Sequence, residues 1–185
     1  DMLPCVTDFA RFSHEKRVVM EKCVRIDPED IYDYIAERGY GSLAKALEIS
    51  PETIIAEIRD SGLRGRGGAG FPTGKKWEIA RQAKGSDKIV ICNADEGDPG
   101  AYMDRTIIES NPHQVLEGIA ICAYSIGAKK AIVYVRAEYP LAVRIISHAI
   151  EEAEKLGILG DNILGTGINL DISVFQGSGA FVCGE

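Results

Sequence analysis

The 185-residue chain sets 21 Lys and Arg against 28 Asp and Glu, a formal net charge of −7 at pH 7, with 45% hydrophobic and 26% charged residues. That length suits one α/β domain with a helical extension, and the composition is that of an ordinary globular chain rather than a disordered or membrane one. The acidic balance argues against nucleic-acid binding, and with no apolar run near the roughly 20 residues of a bilayer span and no secretory leader pattern, a cytoplasmic protein without direct membrane insertion is expected.

Residues 1–62 carry helix signals and hardly any strand signals. Asp27 is placed to cap a helix with Pro28 at its first position and Gly39 past its end, and Ser42 is placed to cap a second. A third begins at Ser50-Pro51 and buries a stripe of Ile54, Ile55 and Ile58. The division expected is a helical N-terminal extension, 1–62, and an α/β domain, 63–185.

Next comes "SGLRGRGGAGFPTGKKW", in which Gly65, Arg66, Gly67, Gly68, Ala69 and Gly70 satisfy the G-x-G-x-x-G spacing. In the usual dinucleotide turn a strand feeds the loop. Here a helix does. Six glycines from Gly62 to Gly74, with Arg64, Arg66, Lys75 and Lys76 around them, point to close approach of an anion or cofactor. Trp77 reads as a packing anchor; Phe71, within the glycine-rich run, suits either the core or stacking on a flat ring.

After a short helix, "KKWEIARQAK", the periodicity changes. "KIVICNADE" is a strand, "NPHQVLEGIAICAYSIG" a helix from Pro112 to a Gly127 stop, "KKAIVYVRAE" a strand, "YPLAVRIISHAIEEAEKLG" a helix closed by Gly157, and "INLDISVF" a strand. Strand, helix, strand, helix, strand predicts a parallel α/β unit whose ligands gather outside the carboxyl ends of the strands. The first strand runs out at "CNADEGDPG", placing Asn93, Asp95, Glu96 and Asp98 there. An Asx-rich turn, a magnesium site, and recognition of sugar hydroxyls and heterocycle N–H groups all fit those side chains.

The five cysteines, Cys5, Cys23, Cys92, Cys122 and Cys183, are scattered without C-x-x-C spacing, so free thiols and no metal site are expected. His14, His113 and His148 form no grouping with a nucleophile, and no catalytic side chain is assigned.

In this order, "GLRGRGGAGFPTGKKW", "CNADEGDPG", "PHQVLEG" and "GSGAFVCGE" resemble the family of NADH-binding flavoprotein subunits of respiratory complex I. Its relatives include the beta subunits of NAD(P)-linked [FeFe] hydrogenases and NAD-dependent formate dehydrogenases. The resemblance implies a Rossmann-like α/β domain holding FMN, with NAD(H) or NADP(H) docking over the flavin. By similarity Gly65, Arg66, Gly67, Gly68, Lys76, Asn93, Asp95, Glu96, Gly184 and Glu185 hold FMN, and Phe71 and Asp98 contact the dinucleotide. Hydride transfer then falls to the flavin, with no catalytic residue from the protein. The family also implies partner subunits, among them a [2Fe-2S] thioredoxin-like one, and a [4Fe-4S] cluster in a C-terminal part outside this sequence, which is expected to be a fragment with an incomplete site.

Three positions depart from the family pattern. Asp98 stands where Glu is usual, Lys75 replaces the usual Leu, and Phe181 stands where many relatives carry Tyr. The Asp98 variant leans toward the hydrogenase branch and leaves NADPH use open. Two other readings compete: a membrane-linked ferredoxin:NAD oxidoreductase subunit of the same fold, and a scaffold without flavin.

Overall fold

The computed structural model describes residues 16–23, 25–85, 87–98 and 100–179. Four helices come first: α1 (Ile31–Ala36), α2 (Gly41–Leu47), α3 (Pro51–Asp60) and α4 (Thr73–Gln82). Then follow β1 (Ile89–Ala94), α5 (Met103–Ser110), α6 (Pro112–Ile126), β2 (Lys130–Arg136), α7 (Pro140–Lys155) and β3 (Asp171–Gly177).

The long elements form where their local signals put them. Ser50 accepts the Thr53 N–H at 3.2 Å with Pro51 at the first position of α3. Asn111 accepts from the Gln114 N–H at the start of α6, and Gly127, at φ 79°, closes that helix by donating to Ala123. The two shortest helices depart from expectation. Asp30, not Asp27, caps α1, accepting from Tyr32 N–H at 2.8 Å, while Asp27 closes the preceding turn on the Glu29 N–H. Ser42 lies inside α2, whose N-cap is Tyr40 in the left-handed region with φ 59°. At α2 the cause is a carboxylate from α6, described below, which takes the amides that a local cap would have taken.

The three strands are parallel in the order β1-β2-β3. This is the α/β architecture the alternation of periods predicts. Ala131, Val133 and Val135 of β2 and Ile172 of β3 are buried on one face, against which α6 and α7 pack. The opposite face of the sheet bears Ile89, Ile91 and Asn93 of β1, Ile132 and Tyr134 of β2, and Ser173 and Phe175 of β3. Tyr134 stacks on Phe175 there with ring centroids 5.4 Å apart.

α6 touches the sheet on one side and α2, α3 and α4 on the other. It is accordingly apolar nearly all round, with Leu116, Ile119, Ala120, Ala123 and Ile126 buried. Ile26, Ile31, Tyr34, Tyr40 and Leu43 belong to the same continuous core as β2 and α7. The sequence divides by composition near residue 62; the side chains on either side of that point pack together.

A polar cluster lies within that packing. Glu117 of α6 accepts Tyr34 O–H at 2.6 Å and the Ser42 and Leu43 N–H groups at 2.9 and 3.0 Å. His113, one turn earlier, meets the Tyr40 hydroxyl through Nδ1 at 2.9 Å. Burial drives the Tyr34 and Tyr40 hydroxyls well above the usual tyrosine range, with Glu117 adding to the effect on both.

Candidate functional site

The carboxyl end of the sheet gathers polar groups from adjacent strands. β1 ends in Asn93 and Ala94, and Asn93 Oδ1 accepts the Asp95 N–H at 3.0 Å, the signature of an Asx turn. That turn tucks Asp95 and Glu96 into buried positions. Arg136, at the end of β2, pairs with Glu138 at 2.8 Å. Its guanidinium is held above its ordinary pKa by that Glu138 bond first and by the field of Asp95 among the smaller causes.

Glu96 is committed more fully than its sequence position suggests. Its Oε1 accepts the Met103 N–H, its Oε2 accepts the Arg105 N–H at 3.2 Å, and its carbonyl accepts the Tyr139 hydroxyl at 3.0 Å. A carboxylate on the first-turn amides of a helix offsets both their unmet hydrogen bonds and the positive end of the dipole. Glu96 thus starts α5, a helix with no cap adjacent in sequence, since Tyr102 precedes it in the left-handed region at φ 52°. Asp104 in the first turn is pushed upward by burial and then by Glu96, and burial lifts the Cys92 thiol to about 11, with Asp104 adding to it. Asp98 lies exposed in the intervening turn, its carbonyl accepting from Ala101 N–H.

The glycine loop is a second group. α3 gives way to Gly62, and the chain doubles back on itself: Gly65 N–H donates to Phe71 O at 2.9 Å and Thr73 N–H to Leu63 O at 2.9 Å, with a bridge between Arg64 and Pro72. Arg64 Nε donates to Gly70 O at 2.7 Å and the Arg66 guanidinium donates to Arg64 O. The backbone of the tip, from Arg66 to Ala69, is left outside these bonds. A Cβ at Gly67 or Gly68 would meet nothing within 4 Å, and Gly68 has φ 101°. Gly74 serves a different end: a Cβ there would lie 2.5 Å from the Arg59 backbone, so it lets α3 and α4 cross closely.

The loop delivers the chain to the N-terminus of α4, which has no side-chain cap. Lys75 and Lys76 are exposed in its first turn, whereas Trp77 packs against the core, as its anchoring role predicts. Leu63 O takes the Thr73 N–H, but a positive helix end without a side-chain cap and flanking cations favour an anion. Phe71 is 43% exposed.

The structure therefore brings Asn93, Asp95 and Glu96 together at the strand end. It holds Gly65, Arg66, Gly67, Gly68, Phe71 and Lys76 in a loop-and-helix unit that docks through α4 on α6. Gly184 and Glu185, together with Cys5, Cys183, His14 and Phe181, lie outside the described residues. Cys23, Cys92 and Cys122 are free and half-buried. Among the described residues no group of three His, Cys, Asp or Glu side chains is arranged to hold a metal ion, and no helix is long and apolar enough to cross a membrane.

Sequence reasoning misses Arg136, Glu138 and Tyr139, in "VRAEYP" at the end of β2, although the strand-end rule that finds Asn93 applies to them as well. Arg105, whose guanidinium lies 5.4 Å over the Tyr139 ring, carries no such signal because no local pattern marks α5.

Residues 58–185 match the family model described as the Nuo51 FMN-binding domain. The chain is 53% identical over 169 residues to the NADP-reducing hydrogenase subunit HndC of Solidesulfovibrio fructosivorans, covering 91% of this chain and 34% of that protein. It is 55% identical over 155 residues to a subunit of the NADH-quinone oxidoreductase of Aquifex aeolicus, covering 84% and 36%. Among solved structures it resembles the NAD+-reducing [NiFe]-hydrogenase in the H2-reduced state, with a TM-score of 0.67 and 36% identity over 76% of this chain and 24% of that one. The chain thus spans about a third of the length of these curated relatives.

Proposed function

The chain belongs to the Nuo51 FMN-binding domain family, and on that basis we propose that it is the flavin- and dinucleotide-holding part of a larger NAD(P)H-linked oxidoreductase subunit. The observation that carries this reading is the glycine loop: an open tip at Gly67 and Gly68 leading into the uncapped N-terminus of α4. That arrangement fits the phosphate of a mononucleotide. Amides at the helix start and the exposed Lys76 would hold the anion, and the lack of side chains at Gly67 and Gly68 lets the backbone approach it.

Gly65, Arg66, Gly67, Gly68 and Lys76 form the phosphate side of the proposed FMN site. Asn93 and Asp95, with Glu96 fixing the turn behind them, form the second side. Carboxylates there accept hydrogen bonds from hydroxyl or ring N–H groups. Gly184 and Glu185 are assigned to FMN on the family pattern alone. Phe71 offers an exposed ring face to the dinucleotide, and Asp98 offers an acceptor for its ribose hydroxyls.

The chemistry a flavin supplies in such a site is acceptance of a hydride from reduced nicotinamide and release of electrons singly. The protein's share is binding, orientation and exclusion of water, which is why no general acid or base is needed from the chain. Electrons would leave toward iron–sulfur clusters, a [4Fe-4S] elsewhere in the same polypeptide and a [2Fe-2S] in a thioredoxin-like partner. Identities of 53% to a hydrogenase subunit and 55% to a subunit of a quinone oxidoreductase point to neither branch over the other.

The test is the visible spectrum and FMN stoichiometry of the purified full-length protein containing residues 1–185, with anaerobic addition of NADH and then NADPH. Bound flavin bleached on mixing is the expected result. A colourless protein that FMN fails to reconstitute overturns the reading in favour of a flavin-free scaffold.

A further inference from the structure

Glu96, Arg105 and Tyr139 close a ring of three contacts just beyond the carboxyl ends of β1 and β2. The Tyr139 hydroxyl donates to the Glu96 carbonyl at 3.0 Å. The Glu96 carboxylate accepts the Arg105 N–H at 3.2 Å. The Arg105 guanidinium in turn lies 5.4 Å over the Tyr139 ring and 6.0 Å over that of Tyr102, within the reach of a cation–π contact.

Each member of the ring is mounted on something firm. Tyr139 leads into α7, its N–H bonded to Arg136 O and its carbonyl to the Val143 N–H, both at 3.1 Å. Arg105 is held from α5, where Glu109 accepts its Nε at 2.9 Å. The segment that the ring encloses, 97–102, is not firm by composition. It has glycine at 97 and 100, and within it the Ala101 N–H bonds the Asp98 carbonyl at 3.2 Å. Gly100 stands at φ 85° and Tyr102 at φ 52°, a region that a bulky side chain adopts only under outside constraint. The shape of this segment is therefore imposed from its two ends.

We propose that Tyr139 and Arg105 are positioning residues for dinucleotide binding: the ring they form with Glu96 fixes the turn that presents Asp98 to the ribose. They act through Asp98 rather than on the ligand. A ligand that meets a preset turn does not bear the cost of ordering it, so rigidity at 97–102 appears as affinity. Loss of such binding raises KM and leaves kcat in place. The inference rests on the reading of Asp98 as a dinucleotide contact; the ring of contacts does not.

Tyr139→Phe keeps the aromatic ring and removes only the hydroxyl. In the full-length protein freed of flavin, hydrogen exchange in a peptide covering 97–105 is expected to quicken at least about fivefold in this variant, with α6 and β3 at the parent rate. Unmoved exchange at 97–105 overturns the proposal. Acceleration spread equally over α6 and β3 makes the hydroxyl a general stabiliser and overturns it too.

With FMN bound, Tyr139→Phe should raise KM for both NADH and NADPH about tenfold, the scale of a hydrogen bond lost from a buried acceptor, with kcat within about twofold of the parent. Arg105→Gln, which keeps the amide on Glu96 and gives up the cation over the two rings, should raise KM about threefold. In an Asp98→Ala background neither change should move KM further. An equal rise in both backgrounds, or a fall in kcat without a rise in KM, overturns the action through Asp98. A parent protein that binds no FMN defeats the flavin reading and this inference together, whereas a flavin-loaded Tyr139→Phe with the parent KM defeats this inference alone.

Discussion

Nδ1 of His113 meets the Tyr40 hydroxyl at 2.9 Å, tying the start of α6 to the cap of α2, while Nε2 of the same ring is buried without a hydrogen-bond partner. Glu152 approaches that nitrogen only to 3.9 Å. Burial, reinforced by His148, pushes the His113 pKa down to about 4. The folded state therefore holds the ring neutral at a pH where the unfolded chain, near 6.5, begins to bind a proton. Protonation of the unfolded chain costs the fold nothing above about pH 6.5 and progressively more as pH falls toward 4. Denaturant midpoints of the full-length protein between pH 7.5 and 4 should fall over roughly that window, and His113→Gln should flatten the fall. An equally steep decline in the variant would remove His113 as its source.

Glu117 is the carboxylate on which α1, α2 and α6 converge, through Tyr34, Ser42 and Leu43. Glu117→Ala leaves three donors unmet in a buried site, at about 1–3 kcal/mol each before relaxation. A loss of several kcal/mol and faster proteolysis between α1 and α2 are expected. Cleavage at the parent rate would show that the apolar contacts of Ile31 and Leu43 hold these helices without it.

Gly67→Ala and Gly74→Ala should separate two uses of glycine in one motif. The first places a methyl in open space and should leave the melting temperature within about 1 °C while lowering FMN retention. The second drives a methyl to 2.5 Å from the Arg59 backbone and should destabilise the packing of α3 on α4 whatever is bound. Full flavin occupancy in Gly67→Ala would place the phosphate elsewhere.

Lys76 is exposed on the first turn of α4 and has no part in the core. Lys76→Ala should therefore leave stability unchanged and weaken FMN binding by about tenfold, roughly the strength of one charge-assisted contact. Unaltered occupancy under dialysis would withdraw it from the site.

Asp98 sits in the exposed turn between Glu96 and α5. If it faces the ribose as proposed, lengthening it by one methylene in Asp98→Glu would bring its carboxylate closer to the ribose and against a 2′-phosphate, so the ratio of kcat/KM for NADH over NADPH should rise. Steady-state kinetics of the full-length protein measure it, and an unmoved ratio would leave Asp98 without a role in cofactor choice.

Elements whose signals are local can be read from the amino acids directly. Asn111-Pro112 and Gly127 bracket α6, Ser50-Pro51 opens α3, and β-branched runs mark all three strands, because caps and periodicity act within a few residues. The two-part motif around Gly65 and Asn93 is legible for the same reason. Other features depend on partners far along the chain and exist only once it has folded. α5 leaves no local mark because its start is held by Glu96, seven residues before Met103. Ser42 reads as a cap, yet Glu117, 75 residues away, accepts its amide and sets the start of α2 instead. His113 reads as an ordinary first-turn residue until Tyr40 folds over it. Gly74 looks like part of a phosphate loop until Arg59 is found against it. Each of these is a contact between elements, and the pattern within either element alone carries no trace of it.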